Sequence, residues 1–199
     1  MSEAAAIDRS RRKSRPQGAS KEDSRVSILA AARIVAARDG ARDLSLRSVA
    51  AEAGFAPAAL YGYFRSKDEL LLALAADDLT VMARAMRGAS GLAGASAAAL
   101  SVMGDTETFA AASAALPRQA GGGGDAERLF NGRMIAALKA LSDAIGRPTV
   151  SREGQCDVVL VAAALSGMAM LERSGRLSAL GFTTQEVLAR LDTHFTAAH

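Results

Sequence analysis

The stretch that decides the fold lies at residues 43–71 and reads DLSLRSVAAEAGFAPAALYGYFRSKDELL. Apolar side chains recur at helical spacing from Ser45 to about Glu52, and Gly54 can then take the left-handed conformation that ends one helix and turns the chain. Pro57 suits the first turn of a second short helix, because an amide in that turn has no acceptor inside the helix. The stretch therefore predicts two short helices joined by a glycine turn.

The second of these helices is predicted to be anchored by Leu60 and Phe64, which share one face because they lie four residues apart. Phe55 precedes the helix at the place where it can clip against Leu60. The shared face can bury against apolar positions of the first helix, namely Leu46, Val49 and Ala50. Such a seam is typical of a helix-turn-helix, whose second helix fits the major groove of DNA.

Composition extends the helical prediction to the rest of the 199 residues, which allow one or two domains. Half of the residues are hydrophobic, many of them alanine, and 4% are aromatic, which favours helices throughout. Residues 1–70 contain 13 Lys or Arg and 9 Asp or Glu, whereas residues 71–199 contain 11 and 12. A basic N-terminal part on a near-neutral remainder is typical of a DNA-binding head on a packing body.

Three segments are predicted. Residues 1–20 hold five Lys or Arg and little to bury, so we expect a disordered basic arm, either a solvated tail or an arm that contacts phosphates or the minor groove. Residues 21–65 form the helix-turn-helix domain. Residues 66–199 form a helical domain, which a long helix from Ser66 to about Arg87 joins to the head. Ser20, Ser66 and Thr183 each begin a capping-box pattern, in which a helix is opened by reciprocal hydrogen bonds.

Further helices are predicted at about 92–103, 106–116, 125–146, 151–174 and from Thr183 onward. The glycines at 121–124 are expected to be a flexible connection, because no strand precedes them and no Gly-Lys-Ser follows. Cys156, the only cysteine, is expected to be a small buried apolar residue. The longest apolar run, Val158 to Leu171, is too short to span a bilayer, and no signal peptide is visible, so a cytoplasmic protein without a membrane partner is expected.

A set of landmarks in order along the chain resembles the DNA-binding domain of TetR-family transcriptional regulators. They are Gly40, Leu44–Ala50, Ala53–Gly54, Leu60–Phe64 and Ser66–Leu71, within about residues 22–75. The resemblance implies an all-α fold of about nine helices, with an N-terminal three-helix helix-turn-helix domain and a C-terminal helical domain that binds an effector and a second subunit. It further implies a homodimer that binds a palindromic operator, in the usual case as a repressor.

Candidate DNA contacts follow from positions in the motif. Ser45, Tyr61 and Lys67 resemble the family's phosphate contacts, and Arg47 resembles the position that can reach a base, where arginine favours guanine. Arg65 could add a contact to the DNA backbone.

The recognition helix departs from the family pattern at Ala56, where Ser or Thr usually caps it, and at Gly62, where a polar residue is usual. Hydrogen-bonded readout is therefore expected to be sparse, with hydroxyls from Tyr61 or Tyr63 and apolar contacts from Pro57 and Ala58 to thymine methyls. We therefore predict that base recognition depends more on Arg47 and on DNA deformability than it does in a relative with polar recognition residues.

Two further sets of residues belong to the C-terminal domain. The predicted lining of a cavity for a small hydrophobic effector is Leu79, Met82, Met86, Phe109, Phe130, Met134 and Met168. The predicted dimer interface on the last two helices is Val161, Ala164, Leu165, Met168, Leu188, Leu191 and Phe195. Methionine at helical spacing is also common in cores, and the last two helices could instead be core helices of one chain.

The sequence predicts a DNA-binding regulator rather than an enzyme, because it has no nucleophile elbow or nucleotide motif and both histidines lie near the C-terminus. No cofactor and no metal site are indicated. One alternative keeps the DNA-binding head and gives the C-terminal domain only a dimerisation role or a protein partner. A small all-α enzyme is the alternative from another class.

Overall fold

The computed structural model describes residues 20–105, 124–146 and 151–196. These residues form nine helices and no strand: α1 Lys21–Asp39, α2 Leu46–Ala53, α3 Pro57–Leu60, α4 Lys67–Gly88, α5 Gly91–Asp105, α6 Asp125–Ile145, α7 Arg152–Arg173, α8 Arg176–Ala179 and α9 Thr184–Thr196. The all-α prediction is confirmed. The predicted basic arm up to residue 19 and the predicted helix at 106–116 lie outside the described residues.

Two apolar cores organise the helices. The smaller core holds the head together and joins α1 to the short helices, with Ile28, Val35, Val49, Leu60 and Phe64 all completely buried. The larger core lies among α4, α5, α6, α7 and α9.

Helix α4 belongs to both cores. Leu70 and Leu74 point into the head core, whereas Leu71, Leu72 and Leu79 point into the body core. The apolar side chains of the first turns of α4 thus lie on two faces of the helix, and each face is covered by a different part of the chain. The head core therefore continues past the predicted domain boundary at residue 65, and α4 is the rigid connection between the two parts.

Ion pairs reinforce the same connection. One guanidinium nitrogen of Arg33 on α1 lies 2.7 Å from a carboxylate oxygen of Asp77 on α4, and another binds the carboxylate of Asp78, whose side chain is only 4% exposed. Burial by itself would lower the pKa of Arg33, but its hydrogen bonds to Asp78 and Asp77 outweigh this effect and raise the pKa. The pair fixes α1 against the middle of α4.

The capping patterns mostly form as predicted. Ser20 and Thr183 close complete capping boxes with Asp23 and Glu186. At α4 the Ser66 hydroxyl accepts from the backbone N–H of Glu69, but the Glu69 carboxylate accepts from the N–H of Arg65 at 2.7 Å instead of from that of Ser66. The box at Ser66 is therefore only half formed, because the carboxylate caps one residue earlier.

Candidate nucleic-acid interface and effector cavity

The turn between α2 and α3 is a glycine cap. Gly54 has φ 72° and ψ 23°, and the N–H of Phe55 donates to the carbonyl of Ala50 at 2.9 Å. This left-handed conformation favours glycine, and it turns the chain so that α3 follows two residues later. The turn could be predicted from the sequence because few residue types adopt this conformation readily and glycine is the most common of them.

Helix α3 has only four residues, and its start has no side-chain cap. Ala56 occupies the N-cap position without a side-chain hydrogen bond, and Pro57 is the first helical residue. After Leu60 the chain continues in turns, with the N–H groups of Tyr63 and Phe64 both donating to the Leu60 carbonyl at 2.9 Å. Since local hydrogen bonds are few, burial of Leu60 and Phe64, both 0% exposed, holds the segment in place.

The outward surface of this segment is apolar and aromatic. Pro57 and Ala58 are exposed, and the side chain of Tyr61 is 61% exposed. Tyr63 is half-buried, with its ring edge-on to Phe55 at a centroid distance of 6.2 Å. Tyr61 therefore offers its hydroxyl freely to a groove, whereas Tyr63 also shapes the turn.

The polar candidates lie around this segment. Arg47 is exposed on the first turn of α2. The Ser45 hydroxyl accepts from the N–H of Ser48 at 3.1 Å, and the Ser48 hydroxyl accepts from the N–H of Ser45 at the same distance, so Ser45 caps α2. Lys67 is half-buried, and its ammonium donates to the backbone carbonyl of Arg42. The Ser45 hydroxyl already donates to Ser48 Oγ at 3.0 Å, so donation to a phosphate replaces that bond, whereas the Lys67 ammonium has further N–H donors for a phosphate.

Two groups that order the head were not predicted from the sequence. Arg38 binds Asp39 at 2.9 Å and Glu52 at 3.0 Å, which ties α1 to α2, and its hydrogen bond lowers the pKa of the Asp39 carboxyl. Arg33 ties α1 to α4. Asp77 and Asp78 are two adjacent carboxylates within an apolar stretch of α4, which indicates that they need a partner. Arg33 lies 44 residues before Asp77, so no local pattern could identify it as that partner.

A cavity of about 300 Å³ lies in the body between α4, α5, α6 and α7. Its described lining includes four of the seven predicted residues, Leu79, Met82, Met86 and Met134, and adds Met103 and Leu138 among others. Phe130 and Met168 are buried in the body core and are absent from that lining. Phe109 lies outside the described residues.

The predicted dimer residues lie mainly inside the single chain. Val161, Leu165, Met168, Leu188 and Phe195 are all at most 9% exposed and belong to the body core. Ala164 and Leu191 are half-buried. A side chain that the chain's own helices already cover offers little surface to a partner.

The exposed face of α7 carries a different apolar row. Val159, Leu160 and Met170 are 60%, 58% and 66% exposed, and Ala163 lies between them on the same face; Val159 and Ala163 also line the cavity. Cys156 is also exposed there, so the expectation of a buried cysteine is wrong. The sequence shows that α7 is apolar on nearly every side, but it does not show which side packs against the body core.

Comparison with known proteins agrees with this architecture. Residues 28–74 match the model of bacterial regulatory proteins of the tetR family. No curated protein matches the chain. A TetR transcriptional regulator from Rhodococcus sp. RHA1 superposes with a TM-score of 0.67 at 19% identity, covering 90% of this chain and 99% of that one.

Two other solved structures are similar over most of their length. BioQ, solved with its natural double-stranded DNA operator, gives a TM-score of 0.59 at 23% identity over 87% of this chain and 98% of that one. FadR from Bacillus subtilis, solved with stearoyl-CoA, gives 0.58 at 13% identity over the same shares. At these identities the likeness shows the fold.

The head matches the model of a family of bacterial regulatory proteins, which supports a DNA-binding transcriptional regulator rather than an enzyme. The family-model match covers residues 28–74, so it identifies the head as a DNA-binding domain of the tetR family, and the likeness of the whole chain to solved structures shows the fold.

Proposed function

We propose that the protein is a cytoplasmic homodimeric repressor that binds a palindromic operator and responds to a small hydrophobic effector in the cavity of its C-terminal domain. The observation that carries the proposal is the double role of α4. The helix contributes Leu70 and Leu74 to the head core, and it contributes Leu79, Met82 and Met86 to the cavity lining. A molecule that separates α4 from α6 or α7 displaces one end of a helix whose other end packs against the recognition segment, residues 57–64.

The cavity suits an uncharged apolar molecule. Its described lining contains no charged residue, and its one hydroxyl, on Ser166, donates to the Ala162 carbonyl at 2.8 Å. Methionine side chains adapt to ligands of different shape. The volume of about 300 Å³ is at the lower end of the range of small-molecule sites, roughly 300–1,000 Å³.

The exposed row on α7 supports a second copy of the chain as its cover. The whole of α7, unlike the shorter run Val158 to Leu171, is long and apolar enough to cross a membrane by length and composition alone, and only a third of its most apolar window is buried in one chain. Packing Val159, Leu160 and Met170 against the same row of a partner removes them from water. Ala163, between them, allows the two helices to approach closely. The proposed dimer contact therefore lies on a different face of α7 from Val161, Leu165 and Met168, which were first predicted to form it.

For DNA we propose that Arg47 reads a base, that Tyr61, Ser45 and Lys67 contact phosphates, and that the apolar surface of Pro57, Ala58 and Tyr63 packs against the groove. The support is their position around the exposed side of α3. A duplex selected from a random library by the full-length protein should contain an inverted repeat. Selection of sequences without such symmetry contradicts the dimeric model.

Dimerisation is tested by Leu160→Glu, with Ile135→Glu as the matched control. Ile135 is 68% exposed and belongs to α6, a different helix from the one that carries the exposed row. Sedimentation should give a monomer for Leu160→Glu with much weaker operator binding, and an unchanged dimer for Ile135→Glu. A dimeric Leu160→Glu protein contradicts the interface.

The effector is tested by thermal unfolding against a panel of uncharged hydrophobic compounds. A ligand at a hundred times its Kd stabilises the native state by about 2.7 kcal/mol. Ala162→Phe, which fills the cavity, should abolish the effect, whereas Ala97→Phe on the exposed side of α5 should keep it. If no compound stabilises the wild type, the C-terminal domain serves dimerisation or a protein partner instead.

A further inference from the structure

A second cleft, of about 320 Å³, lies where the head meets the body. Its walls come from α1, α4 and α6. The lining is Glu22, Arg25, Val26, Leu29, Ala30, Arg33, Ala73, Ala76, Asp77, Thr80, Leu129 and Arg133. It shares no residue with the methionine-lined cavity.

The cleft combines cations with uncovered apolar side chains. Val26 on the head wall and Leu129 on the body wall are 59% and 41% exposed. The small residues Ala73 and Ala76 of α4 are buried in the lining, and Ala30 of α1 is exposed there. A side chain as apolar as Val26 or Leu129 gains free energy from any apolar group that covers it.

The charges of the cleft favour an anion. Three arginines face two carboxylates in the lining, but Arg33 is neutralised by two partners, Asp77 in the lining and Asp78 just outside it, so the anion preference rests on Arg25 and Arg133. Asp77 already binds Arg33 at 2.7 Å, and Glu22 sits in the first turn of α1, where the helix dipole favours its negative charge. Within the described part of the chain, Arg25 and Arg133 have no ion pair. Their guanidinium groups therefore remain available to a ligand.

Arg25 also touches the recognition segment. Its guanidinium carbon lies 4.8 Å from the centroid of the Phe64 ring, within the range of a cation–π contact. Phe64 is 0% exposed and anchors the turn that follows α3. An anion that draws Arg25 toward the cleft acts directly on this anchor.

We propose that this cleft is a second regulatory site, which binds a small amphiphilic anion with its charged group between Arg25 and Arg133 and its apolar part against Val26, Leu29 and Leu129. Such a ligand bridges the head wall to the body wall and fixes their relative position. Its binding is therefore linked to operator binding, and each ligand changes the affinity of the other by the same factor.

The test uses the full-length protein and four probes: decanoate, decanol, decyltrimethylammonium and acetate. All measurements are made in the Ala162→Phe background, so that the methionine-lined cavity does not contribute. Calorimetry should show saturable decanoate binding and at least tenfold weaker binding of the other three. Equal binding of decanol means that the charge has no role, and preferred binding of the cation means that Glu22 and Asp77 dominate. Either result overturns the proposal.

Site variants locate the binding. Arg133→Gln and Arg25→Gln should each weaken decanoate binding about tenfold, the loss of one charge-assisted contact. Arg84→Gln, an exposed arginine of α4 outside the cleft, should leave it unchanged. Arg25→Gln also removes the contact to Phe64 and could unfold the head. In that case the result for Arg133→Gln alone tests the site. Unchanged binding in Arg133→Gln overturns the site.

Linkage is measured as the Kd of decanoate with and without saturating operator duplex. The two values should differ by at least threefold in the wild-type cleft and agree in Arg133→Gln. Equal values in the wild-type cleft refute the regulatory role. Failure here leaves the dimer and methionine-cavity tests standing, since those use other residues and uncharged compounds.

Discussion

The ion pairs between α1 and α4 allow a double-variant test: removing Arg33 should destabilise the protein, and removing the buried charge of Asp78 as well should restore part of the lost stability. Arg33→Met takes the guanidinium away from Asp78, whose side chain is 4% exposed, and from Asp77, whose side chain is 52% exposed. Removing one partner of a fully buried pair costs roughly 3–5 kcal/mol. The Arg33 side chain is 34% exposed, so solvent screens part of the loss, and about 2–3 kcal/mol is expected.

If the cost comes from the buried charge of Asp78, the variants at these three positions should differ in stability. Asp77→Asn alters only the exposed half of the arrangement and should cost at most about 1 kcal/mol. Arg33→Met/Asp78→Asn removes the buried charge as well, so the double variant should be more stable than Arg33→Met alone. In a chain of this size, 2–3 kcal/mol corresponds to roughly 4–12 °C in Tm.

Urea unfolding followed by circular dichroism, at one fixed protomer concentration, measures these differences. The fixed concentration matters because dissociation of a dimer contributes to the free energy of unfolding. If Arg33→Met costs no more than Asp77→Asn, or if the double variant is less stable than Arg33→Met, the pair is not a buried electrostatic link between head and body.

Three further predictions concern the head and the last helix. Gly54→Ala should cost about 1–2 kcal/mol in urea unfolding, entirely from its positive φ, because no atom lies within 4 Å of the added Cβ, and a loss as large for Gly54→Asn contradicts this cause. Hydrogen bonds from the Thr183 hydroxyl and, to a smaller extent, from the Thr183 N–H lower the pKa of Glu186. The difference in stability between wild type and Glu186→Gln should therefore be present above pH 4.5 and shrink as the pH falls through the lowered pKa. A difference that does not change with pH excludes the capping carboxylate as its source. In anisotropy titrations Arg47→Ala should flatten base preference, whereas Lys67→Ala should weaken all duplexes alike and reduce the salt slope by about one; the reverse assignment contradicts the proposed roles.

The sequence predicted the elements whose determinants are local. The glycine turn at Gly54, the caps at Ser20 and Thr183 and the length of α4 each depend on a few neighbouring residues, and each appears in the structure. The half-formed box at Ser66 shows the limit of this reasoning. A carboxylate has a choice between two adjacent N–H donors, and the pattern of residue types does not decide between them.

Features that depend on which helices face each other were predicted less well. Helix α7 is apolar on nearly every side, so periodicity could not tell the core face, with Val161 and Leu165, from the exposed face, with Leu160 and Met170. The same ambiguity affects the cavity, where Met134 lines the space and Met168 packs in the core. The type of a side chain limits its role, but only the packing of neighbouring helices assigns it.

The recognition segment shows how the head resolves a conflict between local and tertiary requirements. A four-residue helix that begins at an uncapped Ala56 is unstable by itself, since it has few internal hydrogen bonds and no side-chain cap. Leu60 and Phe64 supply what the local sequence lacks, and Arg25 covers the ring of Phe64 from outside. The orientation of the groove-facing surface therefore depends on contacts with α1 and α4 more than on α3 itself. Changes in how α1 sits against α4 should reach the DNA through Phe64, even when no residue of α3 is altered.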